Sequence, residues 1–200
     1  MTTLREHLRS LGLGRLLYWM VHRPLGPLGR LRMRGGVQAS RRITRGEKRL
    51  AIAAAMLKPG RPGTRSAACR VHVLTGARYW DQALFCLSTL RHHGNIEFQL
   101  EIIDDGSLTV EQVASFRQHW PSATVLDRKT ADDRVEATLP RTAFPRLRQL
   151  RDELVLTRKL VDVHVGKHGF NLVLDSDMLF HSDPKALVSW MTEPTGSMVM

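Results

Sequence analysis

From residue 70 onward the chain alternates short apolar runs with stretches of helical period. "RVHVLTG" predicts a strand ending at Gly76, and "YWDQALFCLSTLRHHG" predicts a helix ending at Gly94. "EFQLEIIDDGS" predicts a second strand. In "LTVEQVASFRQHWP", Thr109 and Gln112 have the spacing of a capping box, Val110, Val113 and Phe116 share a face, and Pro121 stops the helix. "SATVL" predicts a third short strand. Leu147, Leu150, Leu154, Val161 and Val165 predict one longer helix, and "GFNLVLD" predicts a fourth strand. Strands alternating with helices imply an α/β domain whose mostly parallel sheet is covered by helices on both faces.

The chain before residue 67 reads differently. Leu13, Leu16, Leu17 and Met20 follow helical spacing with Arg15, Tyr18 and Trp19 beside them. Thr44 and Glu47 form a capping-box pair ahead of the Ala-rich "KRLAIAAAMLK", which predicts a helix starting there and stopped by Lys58, Pro59 and Gly60. "KPGRPGTRS", residues 58 to 66, has the composition of a linker. The expected organisation is therefore a basic helical extension and linker over 1–66, followed by the α/β domain over 67–200.

Charge sharpens this division. Residues 1–66 hold 15 basic and 2 acidic side chains, net +13, whereas 67–200 hold 15 and 17; the whole chain is +11. The basicity thus belongs to the extension, where an amphipathic helix on an anionic membrane surface and a solvated or partner-docked arm are both open readings. Nucleic acid ranks below these, because no helix-turn-helix, zinc or RNA-recognition signature accompanies the charge. The longest apolar run there, Leu16 to Val21, is too short to span a bilayer, which takes about 20 residues, or to form a secretory core. Cys69 and Cys86 lack metal-ligand spacing and sit in apolar segments, which suits reduced core thiols and a cytoplasmic location.

The chemistry concentrates where strands end. "NLVLDSDMLFHSDP" closes an apolar strand with Asp175 and Asp177, two residues apart, so their carboxylates share a face or converge on a turn. Asp and Ser also favour turns, which is the plain alternative. In a parallel sheet, however, ligands bind beyond the carboxyl ends of the strands, and Thr75, the pair Asp104 and Asp105, and the pair Asp175 and Asp177 all fall on that rim. Gathered carboxylates repel unless a cation neutralises them, and a small set of oxygen ligands suits Mg2+ or Mn2+ held jointly with phosphates. The partner so implied is a nucleoside diphosphate compound, with Arg158 and Lys159 in "LVLTRKLVDVH" available to its charge or else ordinary surface cations.

The succession "VHVLTG", "CLSTLRHHG", "LEIIDDGS", "LTRKL" and "LVLDSDMLF" resembles the nucleotide-binding half of a GT-A fold glycosyltransferase, over about residues 70–191. The resemblance implies a GT-A, Rossmann-like fold and a metal-dependent transfer of a sugar from a nucleoside diphosphate sugar to a hydroxyl of a sugar or lipid-linked acceptor. It implies that Asp175 and Asp177 bind the metal and the diphosphate, that Asp105 and Asp104 face the nucleoside, and that Thr75 contacts the base. "DDGS" is similar to inverting members and "LDSDMLF" to retaining ones, so the stereochemical outcome stays open. Members of the family place acceptor residues, a base and a third metal ligand after the Asp-x-Asp, whereas 23 residues follow Asp177, so the chain reads as truncated. Glu101, Asp132, Asp133 and Glu136 have no positional claim as a base; His164, His168 and His181 flank the motif, and His181 reads first as a surface or hydrogen-bonded residue, with a metal role as the alternative. Two other readings stand beside the transferase. One is an inactive nucleotide-sugar-binding or interaction module. The other, ranked last, is a haloacid-dehalogenase-type phosphatase, whose nucleophilic Asp belongs at the start of its domain rather than the end.

Overall fold

A computed structural model describes residue 33 and residues 35 to 197. The amphipathic helix expected around Leu13 to Met20 lies outside these residues. Contacts divide the chain into two compact units, Met1–Ala51 and Ile52–Met200. In the first unit, helix α1 begins at Gly36 and runs on to Ala55. It passes straight through Thr44 and Glu47, so that pair caps nothing: the predicted helix start is a mid-helix position. Its Arg41, Arg42, Arg45, Lys48 and Arg49 are exposed. Among the described residues no helix is long and apolar enough to cross a membrane.

In the second unit four described strands, β1 (Arg65–Thr75), β2 (Ile96–Asp104), β3 (Thr124–Leu126) and β4 (Asn171–Leu174), form a parallel sheet in the order β3-β2-β1-β4. The connecting helices are α2 (Trp80–Gly94), α3 (Val110–His119), α4 (Arg128–Thr138), α5 (Pro145–Glu153) and α6 (Val155–His164), with α7 (Lys185–Thr192) after β4. Strand alternation sorts the sheet's side chains into two layers. Val71, Val73, Leu100, Ile102, Leu172 and Leu174 pack with Leu84, Leu87, Phe116 and Met191 from α2, α3 and α7. Leu74 and Ile103 point the other way, onto Ala131 of α4 and Val163 of α6. Helices thus cover both faces, as the alternating pattern predicts.

The Thr109 capping box is present, with Gln112 N–H donating to the Thr109 hydroxyl and the Gln112 side chain accepting from Thr109 N–H at 3.0 Å. The region from 128 to 165 departs from the expectation of one long helix. It holds three helices, and α5 and α6 are separated at Leu154, whose extended backbone (φ −121°, ψ 117°) interrupts the α run. The leucine and valine spacing continues across this break because Leu147 of α5, partly buried, packs against the same cluster as Val161 of α6 and Val165, while the buried side chains of α5 are Arg148 and Arg151. Helix α4 was hidden by its polarity: only Ala131 and Val135 are buried, and Asp127 caps it by accepting from Thr130 N–H at 2.8 Å. Cys69 and Cys86 are both buried and free, in line with core thiols.

Candidate functional site

Strands β1, β2 and β3 add in one direction across the sheet, and β4 then returns to the far side of β1. The crevice beyond the carboxyl ends of β1 and β4 is therefore the topological switch point, where an α/β sheet leaves room for a ligand because its flanking connections diverge. A cavity of about 370 Å³ opens there. It is lined by Thr75 and Gly76 after β1, Asp105 after β2, Asp175, Ser176 and Asp177 after β4, Arg158 and Lys159 of α6, and Tyr79 and Gln82 at the start of α2. Six of the seven residues singled out by sequence meet in this one space.

The seventh, Asp104, does not. Its Oδ1 accepts from the N–H groups of Gly106 (2.8 Å), Ser107 (3.1 Å) and Leu108 (3.1 Å), so it shapes the loop that presents its neighbour. Asp105 is positioned in turn by Ser107, whose backbone N–H and hydroxyl donate to its Oδ1 at 3.0 and 2.5 Å. Gly76 allows the carboxylate to lie this close to β1, since a Cβ there would stand 2.2 Å from Asp105 Oδ1. Thr75 is buried, and its hydroxyl has no hydrogen-bond partner among the described residues.

The acidic pair is asymmetric. Asp175 Oδ1 accepts from the Lys159 ammonium, while the exposed Asp177 has no ion-pair or hydrogen-bond partner among the described residues. The turn that carries them is held by Met178 N–H, which donates to the Asp175 carbonyl at 3.4 Å, and by the Cys86 thiol at 3.5 Å. That thiol is pushed up to about 12, first by burial and then by the negative charges of Asp177 and Asp175. Arg158 is anchored from behind. Its Nε donates to Asp162 Oδ2 at 3.4 Å, Asp162 is itself gripped by Arg151 through bonds of 2.5 and 3.0 Å, and Arg158 Nη2 has no partner among the described residues.

Two hard carboxylates on one turn, with an ammonium already standing in as cation on one of them, form a donor set that fits Mg2+ or Mn2+ completed by phosphate oxygens. Among the described residues no group of three or more His, Cys, Asp or Glu side chains could hold a metal ion. The carboxylates considered as bases lie elsewhere. Glu101 is engaged by Lys167 and Arg134, Asp132 by Arg151, Asp133 by Lys129 and Glu136 by Arg148. None of them lines the cavity, nor do His164, His168 or His181.

Tyr79 and Gln82 escaped the sequence reading. Their signal was position: they follow Gly76 at the turn from β1 into α2, and Tyr79 has no side-chain capping bond that would explain it. Its ring is partly exposed and lies 5.1 Å from the Arg78 guanidinium carbon. No known protein family matches the chain, and neither does any curated protein or solved structure.

Proposed function

We propose that this chain binds a nucleoside diphosphate sugar through Mn2+ or Mg2+ and serves its transfer to the hydroxyl of a sugar or lipid-linked acceptor, in the manner of a GT-A fold glycosyltransferase. The observation that carries this reading is the convergence of Asp105, Asp175, Asp177 and the two cations Arg158 and Lys159 on one crevice at the switch point of a parallel sheet. Asp175 and Asp177 would hold the metal. When bound, it supplies a Lewis acid for the charge that develops on the departing diphosphate. Arg158, fixed by Asp162 and with Nη2 buried and unpartnered among the described residues, would meet a phosphate oxygen. Thr75 and Asp105, across the cavity, offer an unpartnered hydroxyl and a carboxylate to the nucleoside.

A binding-only role is the second reading. It is favoured by one observation: among the described residues, the carboxylates that line the cavity are Asp105, Asp175 and Asp177, all of them already given a binding role.

Calorimetry with UDP- and GDP-sugars tests the proposal. Binding is expected with Mn2+ and not with chelator, and Asp177→Asn should abolish the metal-dependent part. The same substitution relieves repulsion between the empty carboxylates, so metal-free stability should stay level or rise slightly. Equal affinity with and without metal, or normal binding by Asp177→Asn, would defeat the assignment.

A further inference from the structure

The Lys159 contact bears on how the site fills. Asp175 has a side chain 57% exposed, yet its Oδ1 is taken by an ammonium from α6, whereas Asp177 beside it is unpaired. A divalent cation bridging the two carboxylates would stand within a few ångströms of that ammonium and be repelled by it. Lys159 must therefore leave before the cation can settle, and departure is unfavourable while nothing repays the ion pair with Asp175. Of the remaining lining, Arg158 is a cation, Tyr79 and Gln82 are neutral, Asp177 would share the cation, and Asp105, at the end of β2, has its Oδ1 held by Ser107. An arriving diphosphate changes this, because it gives the ammonium a new partner at the moment that Asp175 is vacated.

We propose that Lys159 couples the two ligands: it occupies Asp175 against free divalent cation and moves to the diphosphate when metal and nucleotide arrive together. This rests on the diphosphate-binding reading above. Lys159 is thus a positioning residue whose exchange of partners makes metal and diphosphate binding mutually reinforcing. Linkage requires the reinforcement to be reciprocal, each ligand raising the affinity of the other by the same factor.

The test uses the full chain, Mn2+ titrations followed by electron paramagnetic resonance, and calorimetry with UDP and GDP as probes. For the wild type, Mn2+ alone should bind weakly and either diphosphate that binds should tighten it by about tenfold or more. Lys159→Met keeps length and helix propensity at a half-buried position, and its melting temperature serves as the folding control. It should bind Mn2+ alone about tenfold more tightly than the wild type and lose most of the coupling. Asp175→Asn frees the ammonium, so metal-free diphosphate should bind better than it does to the wild type. If the wild type binds neither diphosphate with metal, both the functional reading and this inference fall. If it binds them but Lys159→Met leaves the affinity for Mn2+ alone unchanged, or Asp175→Asn leaves metal-free affinity unchanged, the inference alone falls.

Discussion

The backbone N–H of Asp105 donates to the carbonyl of Thr75 at 3.0 Å, tying together the ends of β1 and β2 at the mouth of the candidate site. One residue further on, Gly76 lies so close that a Cβ would stand 2.3 Å from Asp105 Cγ. Gly76→Ala should therefore turn the Asp105 carboxylate away from Ser107 and into the cavity. The expected result is a loss of nucleotide affinity of at least about tenfold at a stability cost of about 1–3 kcal/mol, as for other overpacked positions. Calorimetry alongside urea melts checks it, and unchanged affinity would remove Asp105 from the site.

Beneath the rim, on the face toward α4, a second polar group fixes the pH range of the fold. Burial alone would raise the Glu101 carboxyl, but the His72 ring 3.6 Å away and the Lys167 ammonium that donates to it bring it down from 4.5 to about 2. Burial pushes the Lys167 ammonium down from the usual lysine range. Because the Glu101 carboxyl is depressed in the fold, its contribution is complete above pH 4.5 and disappears as pH falls toward 2. The amount at stake is at most about 3 kcal/mol. Urea melts between pH 6 and 2 should show this loss for the wild type and a flatter profile for Glu101→Gln, which should also be less stable at neutral pH.

Asp162 links stability to the site. It lies between Arg151 and Arg158 with its side chain fully buried, and Arg158 lines the cavity. Asp162→Ala strands the Arg158 guanidinium and leaves Arg151 with Asp132 as its close carboxylate partner, and should cost about 3–5 kcal/mol. Asp162→Asn keeps the shape but not the charge, and it should weaken diphosphate binding through a loosened Arg158 even where the protein remains folded. Binding by folded Asp162→Asn at wild-type affinity would show that Arg158 is not held for that purpose.

The basic side chains of α1, together with the rest of residues 1–66, should draw the chain to anionic vesicles, at about 1 kcal/mol per basic residue near the headgroups. Sedimentation with phosphatidylserine vesicles should fall as salt is raised from low to physiological strength. Pelleting that ignores both lipid charge and salt would point to a docked arm instead.

What could be read from the chain followed from how strongly a single physical cause dominated. β2 and β4 were legible because their apolar runs end at acidic turns, and α3 because Thr109 and Gln112 satisfy its orphan N–H groups. The convergence of Thr75, Asp105, Asp175 and Asp177 was legible because a parallel sheet places all strand ends on one rim. α4 was not, since two buried residues leave almost no apolar period to see. The Thr44 and Glu47 pair misled because capping spacing recurs inside helices whose start is set elsewhere. The resemblance put Asp105 ahead of Asp104 without a physical reason, which the loop geometry supplies by giving Asp104 to the backbone and Asp105 to the cavity.

The pairing of β1 with β4, which brings Thr75 beside Asp175, joins Arg70 to Asn171 and Val73 to Leu174, about a hundred residues apart along the chain. Closing so long a loop is slow, because its entropy is lost before the contacts repay it. β1 and β2 pair across a far shorter span, with Arg70 opposite Gln99. The end of the crevice that holds Thr75 and Asp105 therefore depends on the shorter-range pairing, and the end that holds Asp175 and Asp177 on the longer-range one. A newly made chain can pair β1 with β2 before Leu172 and Leu174 of β4 complete the core and Asp175 and Asp177 reach the crevice, so the acidic end of the candidate site is the last part of it to form.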